Sequence, residues 1–351
     1  MQKDLEISIE LTNACPMRCI HCSSKSGEIT PEEKQEELTK EEIFKILKDG
    51  KEKLGVTTYS LSGGEPLVVE HAIDTMRYAK EELSLNVILY TSGMICDPYG
   101  REKPRAVSKE LANEIAKYID KAILSIEGAD KETFETVTNV KGSWELFNEA
   151  LDNFVASGAY VECHIVPEKI NWKQIPEMVE FCKNKGVKKV SLLRLVPQGR
   201  TAVNKEKLLL NKEEFKELNK MMIKLKEETK GIVFRFGNPI DFNFLINNKP
   251  KLTSCGGGLD RILIRPNGLV ATCAAWKELE TLSAGNIRVT SVDDIWNNSP
   301  VYKMFREFDH TTIPECKNCE FLEQCKGGCP AQRLIAYGDM RRKDPLCFKE
   351  D

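Results

Sequence analysis

The cysteines of this chain are clustered, and this clustering constrains the possible fold more than any other sequence feature. Of thirteen cysteines, three lie within residues 15–22, two within 255–273 and five within 316–347. Disulfides would need an oxidising compartment, yet the N-terminal sequence MQKDLEISIE has no apolar signal-peptide core. In a reducing compartment, cysteines at short spacing indicate metal or cluster ligands. We therefore expect a cytoplasmic protein that binds metal through its cysteines.

Length and charge narrow the class of protein further. At 351 residues the chain is longer than a usual single-core domain, which predicts one large domain and a smaller one. The formal net charge of −3 gives no basic surface for a nucleic-acid partner. No run approaches about 18 consecutive apolar residues, so we expect no association with a membrane through a spanning segment.

Short apolar runs alternate with helical patterns over the first two hundred residues. Six runs have the composition of buried parallel strands, at 5–11, 57–61, 87–90, 122–126, 160–166 and 189–195. Between the first two, Thr39 and Glu42 form a capping box that opens a helix, and Gly55 closes it. Six βα units with right-handed crossovers build either an open doubly wound sheet or a partial barrel, and periodicity alone does not separate the two.

The pattern changes after residue 200. Residues 211–230 predict one amphipathic helix, and 232–236 predict a short strand. From residue 255 the sequence is rich in turns, with a hairpin predicted across 266–268. We therefore expect an α/β domain over 1–200, a bridging region over 201–254 and a small cysteine-rich domain over 255–351.

Three cysteines, Cys15, Cys19 and Cys22, follow the first predicted strand. Parallel barrels carry their chemistry in such loops, at the carboxyl ends of the strands. A 4Fe–4S cluster needs four ligands, so three cysteines leave one iron open to a small molecule. The alternative is a structural zinc site with His21 as the fourth ligand, because such sites take four protein ligands. His21 is poorly placed for that role, since it lies between two of the cysteines.

This motif resembles the C-x3-C-x-aromatic-C signature of the radical S-adenosylmethionine (SAM) superfamily, with His21 in the aromatic position. The resemblance implies an α/β fold with a partial (β/α)6, TIM-like barrel. It implies that the amino and carboxylate groups of SAM bind the open iron. It also implies that an electron passing through the cluster breaks a carbon–sulfur bond and releases the 5′-deoxyadenosyl radical, which makes the three cysteines the catalytic ligands.

The loop after the second predicted strand agrees with this resemblance. Ser62-Gly63-Gly64-Glu65 resembles the glycine-glycine-glutamate motif of the superfamily. Glycines let the backbone approach a ligand closely, and Glu65 is expected to accept a hydrogen bond from the SAM ammonium group. At the sixth strand, Arg194 is expected to neutralise the SAM carboxylate and Val196 to pack against adenine. The other candidate SAM contacts are His21, Thr91, Ser92, Ser125 and Glu127.

The seven cysteines after residue 250 are spaced as in the SPASM extension of radical SAM enzymes. The resemblance implies two auxiliary 4Fe–4S clusters, which makes three clusters in all. The outer cluster would be held by Cys316, Cys319, Cys325 and Cys347. The inner cluster would be held by Cys255, Cys273 and Cys329. Its fourth position would be filled by Cys96 or Cys163, or would be open or filled by a group other than cysteine, and we favour the latter. Two zinc ribbons are the structural alternative, although seven cysteines suit two tetrahedral sites poorly.

SPASM proteins commonly modify peptides, so the resemblance predicts a peptide maturase. It would abstract a hydrogen atom from a ribosomally made peptide and form a crosslink or an oxidised residue. Only fourteen residues precede Cys15, too few for an N-terminal leader-recognition domain, so a separate leader-recognition protein or a surface of the barrel would take that role. Ferredoxin or flavodoxin is the expected electron donor.

The general base of this reaction is not identified by the sequence. Sulfatase-maturating relatives carry an aspartate directly after the second cysteine of the extension, and this chain has Ala274 there. Glu127, Asp241 and Asp260 are unranked candidates. One alternative function is oxidation of a small-molecule precursor of the tetrapyrrole or aminoglycoside type. Its pocket for a flat ligand would be lined by aromatic residues that we otherwise expect to fill the core, namely Trp276, Phe234, Phe236, Phe242 and Phe244. Another is a non-catalytic iron–sulfur electron carrier, which would have no use for the glycine loop.

Overall fold

A sheet of mainly parallel strands organises the protein. The computed structural model describes residues 4–237, 240–248, 255–279 and 282–349. The strands are β1 (Glu6–Glu10), β2 (Thr58–Ser62), β3 (Asn86–Thr91), β4 (Met94–Ile95), β5 (Arg105–Ala106), β6 (Lys121–Ser125), β7 (Val161–Ile165), β8 (Lys189–Leu192), β9 (Val233–Phe236), β10 (Arg261–Ile264), β11 (Leu269–Ala271) and β12 (Gly285–Asn286). Strands β4 and β5 pair separately, and the others form one sheet in the order β12-β11-β10-β1-β2-β3-β6-β7-β8-β9.

The eight neighbouring strands from β10 to β9 are parallel. Six of them, β1, β2, β3, β6, β7 and β8, are the six predicted strands, so the predicted partial barrel is confirmed. The seventh, β9, comes from the bridging region and was predicted as a short strand. The eighth, β10, comes from the cysteine-rich domain and pairs with β1. Both later regions therefore extend the barrel sheet instead of standing apart from it.

The sixth predicted strand ends earlier than expected, which affects the site, whereas the predicted hairpin is present. Strand β8 ends at Leu192, so Arg194 and Val196 lie in the loop after it and not on the strand. The predicted hairpin is present as the antiparallel pair β10–β11, and Gly268 has the φ of 81° that its tight turn requires.

Helices connect the strands and cover the sheet. They are α1 (Pro31–Glu36), α2 (Lys40–Leu54), α3 (Ala72–Arg77), α4 (Lys109–Ala116), α5 (Lys131–Thr138), α6 (Ser143–Ala156), α7 (Ile175–Asn184), α8 (Arg200–Val203), α9 (Lys205–Leu208), α10 (Lys212–Glu228), α11 (Phe244–Asn247), α12 (Val292–Asn298), α13 (Pro300–Arg306), α14 (Leu322–Cys325) and α15 (Pro330–Tyr337). The predicted capping box of α2 is confirmed, because the Thr39 and Glu42 side chains each accept from the other's backbone N–H. Helix α10 confirms the predicted amphipathic helix, with Phe215, Leu218 and Met222 buried.

Side chains alternate between the helices and the interior of the barrel along each strand. On β1, Ile7 and Ile9 are fully buried in the apolar core. Glu6, on the opposite face of β1, accepts hydrogen bonds from Ser60 of β2 and Arg261 of β10. The interior face is therefore polar, whereas the face toward the helices is apolar.

The sheet curls into a partial barrel, so that β9 and β10, the strands at the two ends of its parallel part, approach the same interior space, the lumen. The charges of Arg235 on β9 and Arg261 on β10 both act on Tyr90 of β3, although β9 and β10 lie at opposite margins of the parallel strands. Within the described residues, no helix is long and apolar enough to cross a membrane.

Candidate active site

A cavity of about 2300 Å³ lies at the carboxyl ends of the parallel strands. Predicted SAM contacts that line it are His21, Ser62, Gly63, Gly64, Thr91, Ser92, Ser125, Glu127, Arg194 and Val196. Cysteines from both ends of the chain also line it, namely Cys15, Cys19, Cys22, Cys255, Cys273 and Cys329. The barrel and the C-terminal region therefore share one cavity, with three cysteines contributed by each.

The loop that carries Cys15, Cys19 and Cys22 is held by a segment that sequence reasoning did not identify. Arg200 Nε donates to the carbonyl oxygen of Cys19 at 2.7 Å, and Arg200 N donates to that of Cys22 at 2.9 Å. Thr201 Oγ1 donates to the carbonyl oxygen of His21 at 2.5 Å. The only sequence signal for this contact is the Gly199-Arg200 turn after the sixth strand, which gives no indication of its partner.

The two glycines of the second loop are required by the loop that carries the cysteines. A Cβ atom at Gly64 would lie 2.1 Å from the carbonyl oxygen of Ala14, and one at Gly63 would lie 2.5 Å from that of Thr12. The N–H groups of Gly64 and Glu65 donate to those same two carbonyl oxygens, at 2.6 and 2.7 Å. The glycines thus fix the loop after β2 against the cysteine loop, in addition to lining the cavity.

Glu65 lies in the loop after β2, as predicted, and its carboxylate already has partners within the protein. Its side chain is fully buried and does not line the cavity. The carboxylate accepts from Thr91 Oγ1 at 2.8 Å and from the N–H and hydroxyl of Ser92 at 2.7 Å each. Glu65 therefore joins the loop after β2 to the loop after β3, and its acceptance of a hydrogen bond from the SAM ammonium group stays a prediction.

His21 lies between two buried carboxylates, and sequence reasoning identified only one of them. His21 Nε2 is 3.7 Å from Glu127 Oε1, and His21 Nδ1 is 3.5 Å from Glu168 Oε1. Burial lowers the pKa of His21, but the charges of Glu127 and Glu168 outweigh it and raise that pKa to about 9. His21 is therefore cationic at neutral pH. Glu168 gives no motif in the sequence, since it follows Pro167 after β7 and acquires its partner only in the fold.

Arg194 is also placed differently from the prediction. Its two terminal nitrogen atoms donate to the two carboxylate oxygens of Asp344, at 2.7 Å each. Asp344 is 1% exposed and also accepts from the N–H of Cys329 at 2.9 Å. Because this bidentate pair joins the barrel to the cysteine-rich domain, the geometry favours a role in docking over the predicted contact with the SAM carboxylate.

Three C-terminal cysteines face the barrel. A Cβ atom at Gly257 would lie 3.4 Å from Cys255 Sγ and 3.9 Å from Cys273 Sγ, so the two sulfur atoms lie close to the same point of the chain. The charges of both cysteines act on Cys329, which places the three thiols as a group. Burial, with the charge of Cys255, raises the pKa of Cys273 to about 11, so iron binding at this thiol releases a proton.

The other four C-terminal cysteines surround a second cavity of about 340 Å³, apart from the first. They are Cys316, Cys319, Cys325 and Cys347. All thirteen cysteines lie in the part of the chain that the structure describes, and none of them forms a disulfide, which counts against a disulfide framework. Among the residues that the structure describes, no three His, Cys, Asp or Glu side chains converge closely enough to bind a single metal ion. Cysteines spread around a cavity suit a cluster of several irons better than they suit zinc.

Comparison with known families decides between zinc sites and iron–sulfur clusters. A sequence model of the radical SAM superfamily matches residues 9–182, and a model of the SPASM iron–sulfur cluster-binding domain matches residues 255–320. The chain belongs to the radical SAM superfamily and carries a SPASM domain. It therefore binds iron–sulfur clusters and SAM, and the cysteine groups described above fit that requirement.

Radical SAM proteins with established names resemble the chain over nearly its whole length. The PqqA peptide cyclase of Rhizobium meliloti is 27% identical over 97% of this chain and 86% of its own length. The AdoMet-dependent heme synthase of Methanosarcina barkeri is also 27% identical, over 97% of this chain and 95% of its own. The crystal structure of Streptococcus suis SuiB bound to precursor peptide SuiA has a TM-score of 0.75 at 19% identity, covering 99% of this chain and 77% of that one.

Neither cysteine predicted as a possible fourth ligand of the inner cluster lines the shared cavity. Cys163 is fully buried in the core, where its thiol contacts that of Cys182. Cys96 Sγ donates to the carbonyl oxygen of Asp97 at 3.0 Å, in the loop after β4. In this radical SAM protein, the positions of Cys96 and Cys163 therefore favour an inner cluster whose fourth position is open or filled by a group other than cysteine.

The candidates for a general base separate in the structure. Glu127 and Asp260 line the shared cavity, whereas Asp241 does not and instead accepts from the N–H of Asn243 at 3.1 Å. Sequence reasoning missed Lys277, a buried cation that lines the cavity and forms an ion pair with Glu10 of β1. Only the fold reveals this pair, because 267 residues separate its members.

Proposed function

We propose that this radical SAM protein is a peptide maturase. It abstracts a hydrogen atom from a ribosomally made peptide and forms a crosslink or an oxidised residue. When bound, the cluster at Cys15, Cys19 and Cys22 supplies the electron that cleaves SAM to the 5′-deoxyadenosyl radical. The SAM-binding groups in this proposal are His21, Ser62, Gly63, Gly64, Thr91, Ser92, Ser125, Glu127 and Val196.

The observation that carries this proposal is the shared cavity. Cysteines of the barrel and cysteines of the SPASM domain line the same space of about 2300 Å³. A substrate held there lies in the same space as the predicted SAM contacts and the inner cysteines. That arrangement suits a reaction in which the substrate loses a hydrogen atom and then an electron, which is how a crosslink or an oxidised residue arises.

The relatives support a peptide as the substrate. One is named for cyclisation of the peptide PqqA, and SuiB has been crystallised with its precursor peptide SuiA. The cavity is also large and lined by many charged and polar groups, as an extended peptide requires. We propose three 4Fe–4S clusters, with Cys255, Cys273 and Cys329 at the inner one and Cys316, Cys319, Cys325 and Cys347 at the outer one.

A small-molecule substrate is the second candidate, because the heme synthase of Methanosarcina barkeri is as similar in sequence as the peptide cyclase. The positions of the aromatic residues argue against a flat ligand. Trp276 is 1% exposed and packs edge-on against Phe305, and Phe242 and Phe244 are buried in the core. Phe236 does line the cavity, together with Tyr90. The predicted aromatic pocket is thus mostly core, which favours the peptide.

The partners in this proposal follow from the chemistry. A ferredoxin or flavodoxin supplies the low-potential electron, and a separate leader-recognition protein or a surface of the barrel guides the peptide. We place the protein in the cytoplasm, where such donors and reduced thiols occur.

Mass spectrometry tests the proposal. The enzyme is co-expressed with a short peptide encoded beside its gene, and the peptide is then purified and analysed. A loss of two hydrogen atoms supports a crosslink or an oxidation. An unchanged peptide, together with turnover of a tetrapyrrole precursor by the same preparation, would replace the peptide with the small molecule.

A further inference from the structure

Nearly every cation that lines the shared cavity already has a partner. Arg194 is paired with Asp344, and Lys277 with Glu10. Arg261 Nη2 donates to Glu6 Oε2 at 2.6 Å. Arg200, the fourth such cation, donates to carbonyl oxygens of the cysteine loop.

Arg235 is different, although it lines the same cavity. It lies on β9 in register with Ser191 of β8, which is in register with His164 of β7. The Ser191 side chain donates to Glu162 from the lumen side of β8, so Arg235 also faces the lumen. Within residues 4–237, 240–248, 255–279 and 282–349, Arg235 has neither a hydrogen bond nor an ion pair, and its side chain is exposed to the cavity.

Glu162, the acidic residue that faces the lumen on the strands beside the one that carries Arg235, already has cationic partners. Glu162 of β7 interacts with the ammonium groups of Lys121 and Lys189, at 3.0 and 3.3 Å, and with His164 Nε2 at 3.2 Å. These partners hold the pKa of Glu162 well below its usual range despite its burial. Glu162 therefore has little capacity left to compensate Arg235, and this part of the lumen carries an excess of positive charge.

We propose that Arg235 binds a carboxylate of the peptide substrate and selects for an acidic group near the reacting residue. A guanidinium group binds a carboxylate through two parallel hydrogen bonds, which fixes both position and orientation. The strand that carries Arg235 lies at the margin of the barrel sheet, beside the cavity that the SPASM cysteines line. The inference rests on the proposed function, since it names the chemistry of the same substrate.

The carboxylate can belong to an aspartate or glutamate side chain or to the C-terminus of the peptide. Three probes separate these sources: N-acetylglutamate N′-methylamide, with a side-chain carboxylate only; N-acetylglutamine, with a terminal carboxylate only; and N-acetylglutamine N′-methylamide, with neither. Binding to the reconstituted holoenzyme with SAM present is measured by anaerobic equilibrium dialysis. We compare the wild type with R235Q, R235K and R341Q, the last of which removes the same charge from an exposed arginine outside the cavity.

We expect the wild type and R341Q to bind one of the carboxylate probes about tenfold more tightly than the neutral probe, which corresponds to about 1.4 kcal/mol. R235Q is expected to lose this preference, and R235K to retain part of it. The probe that is preferred identifies the source of the carboxylate. Thermal melting of each variant shows whether it is folded.

Three results would overturn the inference. The first is a wild-type enzyme without a preference. The second is a preference that survives in R235Q, and a tenfold loss of SAM affinity in that case would assign the arginine to the SAM carboxylate. The third is modification of a peptide without acidic groups at an equal rate in wild type and R235Q, which would leave the maturase proposal intact.

Discussion

The N-terminal cysteines and the four outer C-terminal cysteines, which line two separate cavities, are supported in different ways. The N-terminal loop is held by backbone groups of the barrel: the N–H of Arg18 donates to Thr138 and that of Ile20 to Val137, at 3.1 and 2.9 Å. The outer C-terminal cysteines lie in turns and in the four-residue helix α14, around a small cavity. The comparison indicates that the barrel preforms the first site, whereas the outer site depends on its cluster for its structure.

Removing two outer cysteines should have the largest effect on stability. We expect C316A/C319A to destabilise the protein by more than about 5 kcal/mol, because bound metal contributes directly to the folding of loops of this kind. Anaerobic denaturant unfolding measures the change. C15A/C22A is the matched control and should cost about 1–2 kcal/mol, since hydrogen bonds hold its loop. Equal losses in the two variants would mean that the two sites do not differ in this way.

Adding a single methyl group at Gly64 should disrupt the loop that carries the N-terminal cysteines. In G64A the new Cβ atom would meet the carbonyl oxygen of Ala14 at 2.1 Å, which displaces the loop that carries the cysteines. We expect formation of 5′-deoxyadenosine to fall by about 100-fold, as for misplacement of a reacting group by about 1 Å. G27A in the same region is the control, because its Cβ would lie 3.5 Å from the flexible side chain of Arg18. Similar rates in G64A and G27A would exclude the proposed packing role.

The ion pair of Arg194 and Asp344, which connects the barrel to the cysteine-rich domain, should have the next largest effect on stability after the outer cysteines. R194Q leaves the buried carboxylate of Asp344 without its cation, which we expect to cost about 3–5 kcal/mol. D344N should destabilise by a similar amount, and the double variant by much less than the sum of the two. Denaturant unfolding of all four proteins measures this coupling. If Arg194 instead served the SAM carboxylate, R194Q would weaken SAM binding without a loss of stability.

A buried cysteine outside both groups should have the smallest effect. C163A removes a core thiol beside Cys182, and we expect a loss of about 1 kcal/mol with an unchanged iron content. Iron analysis of the reconstituted variant checks this. A loss of one cluster would show that Cys163 is a ligand after all.

The parts of the fold that local patterns encode were predictable. The order of apolar, capping and turn residues predicts the six strands of the barrel, the capping box at Thr39 and the hairpin that turns at Gly268. The pairing of β10 with β1 was not predictable in this way, since nothing in either strand specifies a partner more than 250 residues away.

The same distinction applies to the site. The cysteines and the two glycines were identified because their spacing is local and their chemistry is specific. Glu168, Lys277 and Asp344 were missed, since each acquires a partner only when the chain folds. For Glu65, the motif gives the residue type, but only the structure shows that Thr91 and Ser92 donate hydrogen bonds to its carboxylate.

The central claim is that Cys15, Cys19 and Cys22 hold the cluster that cleaves SAM. The most direct test is formation of 5′-deoxyadenosine by the reconstituted protein with SAM and a strong reductant, measured by liquid chromatography. The wild type is expected to form this product and C15A/C19A/C22A to form none, while iron at the SPASM cysteines is retained. Formation of 5′-deoxyadenosine by the triple variant at the wild-type rate would contradict the claim.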